Sequence, residues 1–127
     1  QAFNPNIVVI KLGTNDSKTH NWAHGADEYR QSMQAMIDTL KALPSKPKIY
    51  LCSPIPAFKD SWTISDSVIV NGEMPIIKKL AKKNKCQFID LHTSYTYGDM
   101  MLNDGIHPNA KGAEKMADII FDAIEKK

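Results

Sequence analysis

The sequence predicts an α/β domain built on a parallel sheet. Three observations carry that prediction: short β-branched apolar runs that do not alternate, amphipathic helical stretches between them, and the regular succession of the two. The first run is Ile7-Val8-Val9-Ile10-Lys11-Leu12, ended by Gly13; near-continuous apolarity suits a strand covered on both faces. From about Gly25 to Leu43 the period becomes helical, with Tyr29, Met33, Met36, Ile37, Leu40 and Leu43 on one face and Pro44 and Pro47 closing the helix. Lys48-Ile49-Tyr50-Leu51-Cys52 reads as a second strand, stopped by Ser53-Pro54-Ile55-Pro56.

A loop carrying Phe58 and Trp62 leads to a helix within Ser67 to Asn84, whose inner face is Met74, Ile77, Leu80 and Ala81. Pro75 marks either its first turn or a kink. Gln87-Phe88-Ile89-Asp90-Leu91 is a third strand. A last helix runs from about Ala110 to Glu125, capped by Asn109, with Ala113, Met116, Ala117, Ile120, Phe121 and Ile124 inward. Right-handed crossovers between such strands place the helices on the faces of the sheet and a ligand site at the carboxyl ends of the strands.

The chain of 127 residues supports one domain, and its 43% hydrophobic and 24% charged residues are ordinary for a globular protein. A net charge of +2, with Lys78, Lys79, Lys82, Lys83 and Lys85 clustered on a predicted helix face, gives no nucleic-acid patch. No apolar run approaches the ~20 residues of a membrane span. Cys52 and Cys86 each fall in an apolar strand-like run and read as buried small side chains, which leaves the redox compartment undetermined. The chain opens on Gln1 and enters a strand at once, so the expectation is a natural N-terminus further upstream; an upstream signal peptide would make the protein secreted or periplasmic.

Three loops fall on the carboxyl rim: Gly13 onward, Ser53 to Asp66, and His92 to Asn109. Two of them carry chemistry. Asp104-Gly105-Ile106-His107 sets a carboxylate three residues before an imidazole, which can fix the ring tautomer of a general base. Leu12-Gly13-Thr14-Asn15-Asp16 brings a neutral amide donor to the end of the first strand, where it either stabilises an oxyanion or bonds its own loop. His20 and His24 have the i, i+4 spacing of a metal pair, but in a stretch read as loop and without a placed carboxylate; no metal or cofactor is assigned. Candidate pocket residues are His20, Trp22, Pro54, Phe58 and Trp62, the aromatics either walling an acyl or sugar site or packing back on the sheet; His92 reads as a structural loop residue.

At these residues the sequence resembles a family. Val8-Val9-Ile10-Lys11-Leu12-Gly13-Thr14-Asn15-Asp16 is similar to the third block, and Asp104-Gly105-Ile106-His107-Pro108-Asn109-Ala110-Lys111-Gly112 to the fifth block, of the SGNH or GDSL-type hydrolases. The resemblance covers essentially the whole chain. It implies a three-layer α/β/α, flavodoxin-like fold, here a partial version of about three strands and three helices in a single domain over residues 1–127. It also implies Ser-His-Asp ester hydrolysis, of acyl or acetyl esters and carbohydrate O-acetyl groups in particular. By position, His107 becomes the base, Asp104 its orienting carboxylate, Asn15 an oxyanion donor, Gly13 a turn residue and Asp16 a loop-shaping one.

The family's first block, with the nucleophilic serine, and its second, with an oxyanion-hole glycine, have no counterpart in these residues. Ser17 and Ser53 lie near the rim but not at a strand-to-helix turn. The expectation is a C-terminal hydrolase portion, inactive alone, whose Ile7–Leu12 edge pairs with the missing segment or with another copy. The alternatives are a carbohydrate- or partner-binding module that keeps the fold without catalysis, and a phosphate or cofactor binder, for which no Gly-rich loop is present.

Overall fold

A computed structural model describes residues 3–126. Three strands, β1 (Ile7–Ile10), β2 (Lys48–Cys52) and β3 (Gln87–Ile89), form one parallel sheet in the order β1-β2-β3. The register pairs Val8 with Ile49, Ile10 with Leu51, and Leu51 with Phe88. Strands β1 and β3 stop two residues short of the apolar runs, because Lys11-Leu12 already lead into the rim loop and Asp90 caps a short helix that begins at Leu91.

Helices cover both faces. On one side α1 (Thr19–Lys41) and α3 (Met74–Asn84) pack Tyr29, Met33, Ile37, Ile77, Leu80 and Ala81 against Ile10, Ile49 and Leu51. On the other, α5 (Ala110–Glu125) lays Met116, Ile119, Ile120, Ala123 and Ile124 on a cluster of Tyr50, Cys52, Ile55, Ile89, Leu91 and Tyr95. Asn109 caps α5 as expected, its Oδ1 accepting from the Gly112 amide at 2.9 Å. Cys52 is buried and Cys86 half-buried, and both are free thiols.

Three local readings need correction. Helix α1 begins at Thr19, so His20, Trp22 and His24 are helical rather than in a loop. The helix after the second strand is composite: α2 (Asp66–Val68), capped by Ser65, widens into a π turn (Ile69–Glu73) before α3. Pro75 sits in the first turn of α3, and the wider turn ahead of it spares the backbone a bond that Pro75 has no N–H to donate. In α5, Ala113, Ala117 and Phe121 are exposed, because the helix carries more apolar surface than three strands can cover.

The free side of β1 is poorly covered. Ile7, Val9 and Leu12 are exposed there, and a groove of about 790 Å³ runs between Val9–Leu12, Met36 and Leu40 of α1, and Ile120 of α5. Among the described residues, no helix is long and apolar enough to cross a membrane.

Ile37 is fully buried between α1 and the sheet. Ile37→Ala is therefore expected to cost about 2–5 kcal/mol, read from the shift in urea midpoint at unchanged slope.

Candidate active site

The loop after α4 (Leu91–Ser94) folds into a tight hairpin that presents His107. An isolated antiparallel bridge joins Met101 to Pro108, and the amides of Leu102 and Asn109 donate to the carbonyls of His107 and Met100. Gly105, at φ +70°, closes the turn; a side chain there would be strained and would lie 2.6 Å from Lys59 Cγ. The loop after β2 straps the hairpin down: the Phe58 amide donates to Gly105 O, Lys59 Nζ to Asn103 O, and Ser61 Oγ to Asp104 O.

Within this hairpin Asp104 uses both carboxylate oxygens. Oδ1 accepts from the amides of Ile106 and His107 at 2.7 and 2.9 Å, and Oδ2 meets His107 Nδ1 at 2.7 Å. The His107 ring contact, aided by the two amides, pulls the Asp104 carboxyl down to about 2, so it is an anion and can only accept. His107 Nδ1 must then be the donor, which leaves the Nε2 lone pair directed away from the carboxylate. The imidazole is well exposed and has the indole of Trp62 edge-on at 6.2 Å. Trp62 and Thr63 are both left-handed, at φ 55° and 62°, an uncommon backbone state for two successive residues with side chains.

Across the rim, Gly13 at φ +142° turns the chain out of β1 into a 3-10 turn, Asn15–Ser17. Asn15 is exposed, and its side-chain amide makes no hydrogen bond among the described residues. Its backbone carbonyl, by contrast, accepts from Lys18 N and Asn21 Nδ2. The three rim loops enclose one cleft of about 370 Å³, whose walls include Gly13, Asn15 and Asp16 on one side and Trp62, Ile106 and His107 on the other. Asp104 stands behind His107, outside the cleft lining.

The remaining candidates lie elsewhere. His20 and His24 line a neighbouring cleft of about 450 Å³ with Leu12, Asp16 and Glu28. Trp22 is half-buried, packed edge-on to Tyr29 at 5.8 Å and against Gly72 beside the core cluster. Pro54 is fully buried. Phe58 leans on Tyr95 and Gly98 and borders a third cleft. His92 Nε2 meets Asp66 Oδ1 at 2.9 Å while its amide donates to Ser53 Oγ, a clip between the two rim loops. Ser17 and Ser53 are both fully buried with hydroxyls engaged by backbone groups. Among the described residues no group of three or more His, Cys, Asp or Glu is placed to hold a metal ion.

Residues 1–115 match the profile of the GDSL-like lipase/acylhydrolase family. The chain belongs to that family. It is 49% identical over 142 aligned positions to an acetylxylan esterase of Xylanibacter ruminicola, an alignment that takes in 98% of this chain and 29% of that protein. A multidomain esterase of Ruminococcus flavefaciens is 27% identical, over 98% of this chain and 16% of its own length. The chain thus spans under a third of the curated relatives it matches. Among solved structures, the acetyl xylan esterase AlAXEase superposes with a TM-score of 0.73 at 29% identity, covering 95% of this chain and 68% of the other. The sheet and helices described above are those of the GDSL hydrolase fold.

Because the Asp104 carboxyl titrates lower when folded than unfolded, its contribution to stability is present above the unfolded value of ~3.9 and is lost as pH falls toward about 2. Melting temperatures followed from pH 6 to pH 2 should show that loss in the unsubstituted protein and a shallower one in Asp104→Ala.

Proposed function

We propose that the cleft between the Gly13 turn and the His107 hairpin is the acyl-transfer site of a carboxylic ester hydrolase acting on O-acetyl groups of carbohydrate. One observation carries the reading: an uncommitted Asn15 amide and a carboxylate-oriented His107 face the same 370 Å³ space. The substrate class is supported by the acetylxylan esterase to which this chain is 49% identical.

In this reading a serine supplied from outside these 127 residues completes the site, since Ser17 and Ser53 are buried and hydrogen-bonded to backbone. The apolar β1 edge, with its open groove, is the place where the segment carrying that serine pairs, or where a second copy sits if the chain is alone. His107 Nε2 takes the serine proton as Oγ attacks the ester carbonyl carbon, and Asp104 supports the imidazolium. The carbonyl oxygen, now an anion, receives a hydrogen bond from Asn15. Collapse expels the alcohol, which takes the proton from His107, and leaves an acyl-serine. Water, deprotonated by the same nitrogen, then releases the acid and restores the serine. Trp62 offers an apolar face beside the base for a sugar ring.

Assay of the complete hydrolase on acetylated xylo-oligosaccharides tests these roles. His107→Ala and Asp104→Ala should lower kcat by ~10⁴-fold or more. Asn15→Ala should lower it by ~10²–10³-fold with little change in KM. Turnover that survives His107→Ala refutes the assignment.

A further inference from the structure

Glu73 closes the π turn, and nothing in the reaction above uses it. It is fully buried, and neither carboxyl oxygen has a hydrogen-bond partner among the described residues. Its carboxyl lies on the backbone of Gly13. A Cβ built at Gly13 would stand 2.7 Å from Glu73 Oε1, 3.1 Å from Glu73 Cδ and 2.9 Å from the Tyr29 hydroxyl. Gly13 is thus glycine for two reasons: its positive φ, and a carboxyl and a phenol that occupy the room of a side chain.

The groups facing this carboxyl do not favour its charge. From α1 comes Tyr29, whose hydroxyl already donates to Leu12 O at 2.8 Å; from the turn after β1 comes Asp16, itself an acid. The neighbouring Gly72 is roofed by the Trp22 ring. A buried carboxylate with no donor and no cation beside it is strongly disfavoured, so the group keeps its proton. Burial first, and Asp16 second, push Glu73 up to about 8.

We propose that Glu73 is a positioning residue for the Asn15 amide: as an uncharged carboxyl packed on Gly13 it braces the turn that carries Asn15 to the cleft wall, and loss of its proton loosens that turn. The link to catalysis rests on the reading of Asn15 as the oxyanion donor. The brace itself does not. A folded-state value above that of an unfolded glutamate means the folded chain holds the extra proton between ~4.3 and about 8. Stability therefore falls as pH rises through that window and levels off above it.

The test follows the Glu73 carboxyl carbon, the Gly13 amide and the Asn15 side-chain amide by NMR from pH 5 to pH 10, in this chain and in Glu73→Gln. The proposal expects a protonated Glu73 at pH 7, Gly13 and Asn15 shifts that share its midpoint near 8, and loss of that transition in Glu73→Gln. The Gln variant should also melt higher than the unsubstituted chain at pH 9. An ionised Glu73 at pH 7, or Gly13 and Asn15 transitions that keep the same midpoint in Glu73→Gln, overturns it. Should Glu73→Gln fail to fold, coincidence or mismatch of the midpoints in the unsubstituted chain decides alone. Undiminished kcat in Asn15→Ala of the complete hydrolase, beside an intact Glu73–Gly13 titration, would sink the oxyanion reading and leave the brace standing.

Discussion

The Asp104 carboxylate is the constraint on which the rest of the site depends. Its three hydrogen bonds tie the backbone of residues 104–107 into a turn and, through the same group, set the ring of His107. A side chain that only oriented an imidazole could sit on any neighbouring element. Here the orienting group is also what folds the loop, with Oδ1 holding the turn and Oδ2 the ring. The strap of residues 58–61 then fixes that unit to the loop after β2, and Asn109 fixes its far end to α5.

The sheet serves this arrangement by bringing three loops to one rim. Parallel order puts the carboxyl ends of β1, β2 and β3 on the same side, so residues 15, 62 and 107, far apart in sequence, share one cleft. The two walls are held differently. The hairpin wall is stitched by backbone hydrogen bonds and by the Asp104 carboxylate, whereas the Gly13 wall combines the Tyr29 hydroxyl on Leu12 O and the Ser17 amide on Gly13 O with packing against Glu73. Against this, the free edge of β1 leaves apolar surface on the strand that carries Gly13 and Asn15, and a partner strand there would bury it.

Much of this was legible in the residues. Unbroken apolar runs over residues 7–10 and 49–52, and the i, i+3, i+4 stripe through Tyr29, Met33 and Ile37, specify their elements because burial on those faces is the main driving force. The start of α1 was not legible: His20, Asn21, His24 and Gly25 show no apolar period, and no side chain caps the helix at Lys18. The π turn leaves no mark either, since Pro75 is compatible with a first turn or a kink. In α5 the apolar residues outnumber the covered positions, so pattern alone could not separate Ile119 and Ala123, which pack inward, from Ala117 and Phe121, which do not. The left-handed pair Trp62-Thr63 and the buried Glu73 share another cause of silence. Both are tertiary facts: a lone glutamate between Gly72 and Met74 reads as helix surface until the turn that buries it is known.

The role proposed for His107 requires a ring that carries its proton on Nδ1, against the Asp104 carboxylate, and a free lone pair on Nε2. Nitrogen-15 NMR of the imidazole, recorded above the pH at which the ring gains its second proton, tests this directly. A pyrrole-type signal is expected for Nδ1 and a pyridine-type signal for Nε2, the Nδ1 proton shifted far downfield by the Asp104 carboxylate. A ring that carries its proton on Nε2, or one that exchanges freely between the two forms, would contradict it.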